Sequence, residues 1–140
     1  MSKNVALVAC VSKKRLFPSP ARDLYISDWY RKASNYARNV SDEWYILSAK
    51  FGLTSPDAMI EPYNETLNTM PIASRRSWAK CVLVDLGSIL TPGDIVIILA
   101  GTKYREHLVK QIRDMGVQVD IPMEGLRIGE QLSWLSKQNG

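Results

Sequence analysis

The run Asp94-Ile95-Val96-Ile97-Ile98-Leu99-Ala100 sets the first constraint on how this chain folds. From Ile95 on, apolar residues at every position, rather than every second one, describe a strand covered on both faces. Val5-Ala6-Leu7-Val8-Ala9 has the same character, and Trp44 to Ser48 and Val117 to Ile121 supply two shorter strands. Helical periods lie between them. Ser27 is placed to cap a helix with Trp29, Ala33, Tyr36, Ala37 and Val40 on one face. A second helix, from about Ser74 to Leu90, aligns Ala79, Leu83, Leu86 and Leu90 and stops at Thr91-Pro92-Gly93. A third, capped by Thr102, carries Tyr104, Leu108, Ile112 and Met115 and ends at Gly116. Leu126, Ile128, Leu132 and Leu135 mark a closing helix. The alternation predicts one α/β domain over residues 1–140, a three-layer sandwich around a four-stranded, mostly parallel sheet.

Such a chain buries a core without disulfides or a structural metal. Cys10 and Cys81 are the only cysteines and His107 the only histidine, so a zinc site is not expected, and neither a metal nor a cofactor is predicted. The apolar start is too short for a signal peptide and no stretch is long enough to span a bilayer, which predicts a reduced, cytoplasmic protein. The net charge of +4 is compatible with a polyanionic partner without requiring one.

In open parallel sheets ligands bind beyond the carboxyl ends of the strands. That rule selects Cys10 to Arg15, Lys50 to Asn68, Gly101 to Arg105 and Pro122 to Arg127. The second is long for a loop in a small domain, and such loops are functional or disordered. Phe51, Leu53, Met59, Ile60 and Tyr63 are available to pack it down, around Lys50, Asp57, Glu61, Asn64 and Glu65. Each segment also has a plain reading. Lys13, Lys14 and Arg15 form either a phosphate-binding patch beside Ser12 or a solvated charge run. Gly52 is a turn glycine or a place where a ligand nears the backbone. Gly101 and Tyr104 open a helix whose N-terminus suits an anion, but without the glycine spacing of a phosphate loop. Glu124 and Arg127 lie in what is otherwise a helix start; Cys10 is a nucleophile at a strand end or, with no histidine evident beside it, a packed thiol, which is the favoured reading; and His107 reads as solvent-exposed.

Cys10-x-x-Lys13-Lys14, Ala21-x-Asp23-Leu24-Tyr25, Ser48-Ala49-Lys50-Phe51-Gly52-Leu53 with Pro62-Tyr63-Asn64, and Pro122-x-Glu124-Gly125-Leu126 together resemble a family of small, poorly characterised bacterial and phage proteins. The resemblance covers almost the whole chain. The Cys-x-x-Lys-Lys segment is also similar to the catalytic domain of archaeosine synthase. Ala49 to Leu53 with the following Pro62-Tyr63 resembles the peroxide-stress DNA-binding proteins, and the strand layout resembles the uracil-DNA glycosylase fold. That enzyme's Gly-Gln-Asp-Pro-Tyr and His-Pro-Ser loops are missing, so its catalytic residues do not transfer.

These resemblances imply a nucleobase, nucleotide or DNA ligand. The leading expectation is a glycosylase-like hydrolase that frees a modified base from DNA. Glu61 and Asp57, or else Glu124, would stabilise the charge that builds on the sugar. Tyr63 would stack the base and Asn64 read its edge. Lys13, Lys14, Lys50 and Arg127 would hold phosphates, with Cys10, Ser12, Phe51, Gly52, Gly101 and Tyr104 completing the binding set. The alternatives are a non-catalytic DNA-binding protein of stress or defence type, and a nucleotide-processing protein. The leading expectation requires Lys50, Glu61, Tyr63 and Glu124 to share one cleft.

Overall fold

The protein is described here by a computed structural model covering residues 2–139. The strands are β1 (Asn4–Ala9), β2 (Ser19–Pro20), β3 (Glu43–Ser48), β4 (Gly52–Thr54), β5 (Met59–Ile60), β6 (Ile95–Leu99) and β7 (Gln118–Asp120). The helices are α1 (Ala21–Leu24), α2 (Asp28–Val40), α3 (Ile72–Gly87), α4 (Thr102–Arg105), α5 (Val109–Asp114) and α6 (Ile128–Asn139), with a short 3-10 turn at Leu67–Thr69.

The fold is mixed α/β, and its main sheet has five strands, not four, in the order β4-β3-β1-β6-β7. β1 lies in the middle, parallel to β3 with Val8 opposite Ile46, and parallel to β6 with Leu7 opposite Ile98. Val5 to Val8 have no exposed surface, which accounts for their unbroken apolar character. Two groups of helices provide the cover. α2 and α6 are joined by an edge-on contact of Tyr36 with Trp134 and by Trp29 Nε1 donating to Gln131 Oε1 at 2.9 Å. α3 packs on β4 and is tied to α4 by Arg75 Nε at 3.1 Å from Glu106 Oε1. Ser27 caps α2 as expected, accepting from the Tyr30 amide at 3.1 Å.

Three expectations change. The segment from Lys50 to Asn68 is not one long loop: it turns at Gly52, whose φ of 71° suits glycine, and returns as β4, antiparallel to β3. It is then held by β5 pairing with β2 and by the Ala21 and Arg22 amides donating to Ala58 and Pro56 carbonyls. The third helix is two short ones, because the Leu108 amide bonds back three residues to Arg105 and tightens the chain there; Gly101, not Thr102, occupies the cap. His107 is also less open than expected: its side chain is 23% exposed and its Nε2 lies 3.3 Å from Glu106 Oε1.

From β1 the chain crosses to β3, and from β6 it leaves in the opposite direction to β7. β1 and β6 are neighbours whose outgoing connections part, and a crevice must open between those connections.

Candidate functional site

A cavity of about 420 Å³ lies at that crevice, lined by Cys10, Val11, Ser12, Lys14, Asn64, Glu65, Thr66, Asn68 and Tyr104. The β1 exit supplies the first four and α4 the tyrosine. The remainder come from the stretch between β5 and α3.

Cys10 extends the sheet by one bond, its amide donating to the Leu47 carbonyl at 3.0 Å. Its side chain is thereby fixed in the wall. Sγ accepts from the Ala49 amide at 3.4 Å and lies 3.5 Å from Tyr104 Oη. Tyr104 Oη accepts in turn from the Leu67 amide and lies 3.3 Å from Thr66 Oγ1, so one phenol fastens the 64–68 stretch over the strand ends. Burial raises the pKa of this phenol and keeps it protonated.

Lys14 reaches the cavity across aromatic rings. Its Nζ lies 4.5 Å from the centre of the Tyr63 ring and 5.8 Å from that of Tyr25. Burial lowers its pKa from the ordinary lysine value, opposed by the negative charge available at Cys10 and Glu65. Beneath it runs a buried hydroxyl chain. The Phe51 amide donates to Ser48 Oγ at 3.0 Å, Ser48 donates to Tyr63 Oη at 2.7 Å, and Tyr63 Oη lies 2.5 Å from Tyr25 Oη. Burial pushes the Tyr25 phenol up to about 12 and that of Tyr63 higher still.

Of the residues predicted for the site, Cys10, Ser12, Lys14, Asn64 and Tyr104 come together in this wall. The expected cleft of Lys50, Glu61, Tyr63 and Glu124 does not form there, so the glycosylase expectation fails with the residues first assigned to it and has only the other residues of the crevice to rest on. Tyr63 is 6% exposed and supports Lys14 from below, so its ring offers no stacking face. Ile60 points inward in β5, which turns the next side chain, Glu61, to solvent. Asp57 is exposed and paired with the Arg22 guanidinium, and Glu124 is exposed at the far end of the sheet. Lys13, Lys50 and Arg127 are exposed; the Lys50 amine lies 5.5 Å from the Phe51 ring, which meets Tyr63 edge-on. Gly52 acts as a turn residue, and Gly101 lines a separate hollow of about 240 Å³ with Met123 and Leu126. The carboxylate present in the cavity is Glu65. Nothing in the sequence separates Glu65 from Glu61 in the same stretch. The path of the chain after β5 does.

Among the described residues, no group of three or more His, Cys, Asp or Glu is placed to hold a metal ion, and no helix is long and apolar enough to cross a membrane.

Residues 5–137 match the model of a family described as "Family of unknown function (DUF6884)". The uncharacterized protein YfjM of Bacillus subtilis (strain 168) is 33% identical over 75 residues, 48% of this chain and 49% of that protein. The chain thus spans about half the length of this curated relative. No solved structure matches it.

Proposed function

We propose that this chain, which belongs to that family of unknown function, is a glycosylase-like hydrolase that cleaves the N-glycosidic bond of a modified base in DNA. The observation that carries the reading is the crevice between β1 and β6. It combines the size of a small-molecule site with one carboxylate, two carboxamides and a half-buried amine. Glycosidic cleavage builds positive charge on the sugar, and a carboxylate beside the ring stabilises it and orients the attacking water. Glu65 takes that role in place of Glu61, Asp57 and Glu124. Asn64 and Asn68 offer donors and acceptors to the edge of an extruded base, and Lys14 meets an adjoining phosphate. The protonated Tyr104 phenol is a donor for the departing base. The resemblance to the uracil-DNA glycosylase layout supports the same substrate class. The proposed setting is the cytoplasm, where Cys10 and Cys81 stay reduced.

The test is mass spectrometry of bases freed from DNA carrying diverse modifications. Glu65→Gln is expected to lose release while DNA affinity changes less than about twofold, and Glu61→Gln to retain release. Full release by the Glu65 variant removes this residue from the mechanism, and no release by the wild type from any DNA sinks the glycosylase reading.

One arrangement favours a second reading. An amide N–H is aimed at the Cys10 sulfur, and Lys14 lines the same cavity, a setting that suits a nucleophilic thiol in a nucleotide-processing enzyme. The same spectra distinguish it, because an altered nucleotide then replaces the free base.

A further inference from the structure

A second hollow, of about 230 Å³, lies against α2 and is lined by Arg15, Arg22, Arg31 and Arg38 together with Tyr25, Tyr30 and Trp44. Asp23 is the one acidic residue in this wall, so four positive charges less one leave +3 there, against +4 for the entire chain. Arg22 is answered by Asp23 and Asp57. Arg15, Arg31 and Arg38 have no carboxylate within ion-pair distance among the described residues. The Tyr30 and Ser34 hydroxyls are occupied internally: Tyr30 Oη donates to the Arg22 carbonyl and Ser34 Oγ to that of Arg31. The guanidinium groups of Arg15, Arg31 and Arg38, with the Trp44 indole N–H, are what remains to meet a ligand.

Gathering like charges costs free energy that an anion recovers, and the planar fork of arginine matches phosphate oxygens. Arg31 and Arg38 are two helical turns apart on α2, about 10.5 Å along its axis, so the cations extend beyond the reach of a single phosphate. The hollow also adjoins the crevice. Lys14 and Arg15 are consecutive in an extended segment bridged to Tyr25, and successive side chains there face opposite ways: Lys14 lines the crevice and Arg15 the hollow.

We infer that this arginine hollow binds backbone phosphates of the same DNA strand whose base enters the crevice. The assignment rests on the proposed function for its choice of DNA, whereas the phosphate chemistry stands on the arginines alone.

The experiment titrates an unmodified, fluorescently labelled DNA duplex of about 20 base pairs with the full chain at several salt concentrations. Arg31→Ala combined with Arg38→Ala is expected to weaken binding about tenfold and to make the logarithmic salt slope shallower by about 1.8, the contribution of two phosphate contacts. Lys80→Ala with Arg113→Ala removes two exposed charges elsewhere and is expected to change affinity less than about twofold. Equal losses in both double variants would reduce the effect to net charge and overturn the site. No effect of the arginine pair, or tighter retention of inorganic pyrophosphate than of duplex by the wild type, would overturn the DNA assignment. Because the duplex carries no modified base, these results are independent of base release. A chain that frees bases yet ignores the arginine substitutions refutes this inference alone.

Discussion

Replacing Tyr63 by Phe removes one oxygen from the buried hydroxyl chain and leaves the ring in place. In the native protein that oxygen accepts from Ser48 and shares a 2.5 Å contact with Tyr25. Ser48 is fully buried and Tyr25 is 2% exposed, so neither hydroxyl has water to turn to. The cost of stranding a buried polar group is about 1–3 kcal/mol. Two hydroxyls are affected: the Phe51 amide still serves the Ser48 oxygen but cannot accept its proton, so with each group in the lower half of that range the expected loss is about 2–3 kcal/mol. For a chain of this size that lowers Tm by about 7–10 °C. Urea unfolding of Tyr63→Phe, Ser48→Ala and the double variant measures it, with a coupling of about 1 kcal/mol expected between the two sites. The ring still supports the Lys14 amine, so DNA binding below the lowered Tm is expected to persist. A loss under about 0.5 kcal/mol with additive single effects would refute the claim that the chain holds the crevice floor together.

Two further outcomes test the frame. Asp94 accepts from the Thr91 and Lys3 amides, which holds its carboxyl below the usual 3.8; its stabilisation is therefore present above that pH and lost as pH falls through the depressed folded value. Melting curves should show the wild type losing Tm below about pH 4 more steeply than Asp94→Asn, and parallel curves would contradict the sign. At Gly52 an added Cβ meets only Val82 Cγ2 at 3.8 Å, so Gly52→Ala is expected to cost about 1–2 kcal/mol through the positive φ alone, with a neutral result in urea refuting the turn assignment.

The sheet was readable where burial is two-sided. β6 and, after Asn4, β1 need apolar side chains at every position, and the sequence has them. The cap of α2 was readable because Ser27 acts within its own turn. β2, β4 and β5 were not, because pairs and triplets of residues carry no period and are fixed by partners distant in the chain. The same limit explains the site. Cys10, Ser12 and Lys14 follow directly from the end of β1, and Tyr104 from the start of α4, so the rule about strand ends finds them. Choosing Glu65 over Glu61, and seeing that Tyr63 faces inward, requires the register of β5 on β2, which two residues do not announce.

The margins of the main sheet, β4 and β7, are three residues each. A neighbouring copy laying a strand along either side would gain few hydrogen bonds for the order it gave up, and in β7 it would meet the exposed Gln118 and Asp120. The taper that lets five strands close around a central β1 therefore also guards a very apolar centre against being extended by another chain, as a long flat border would invite.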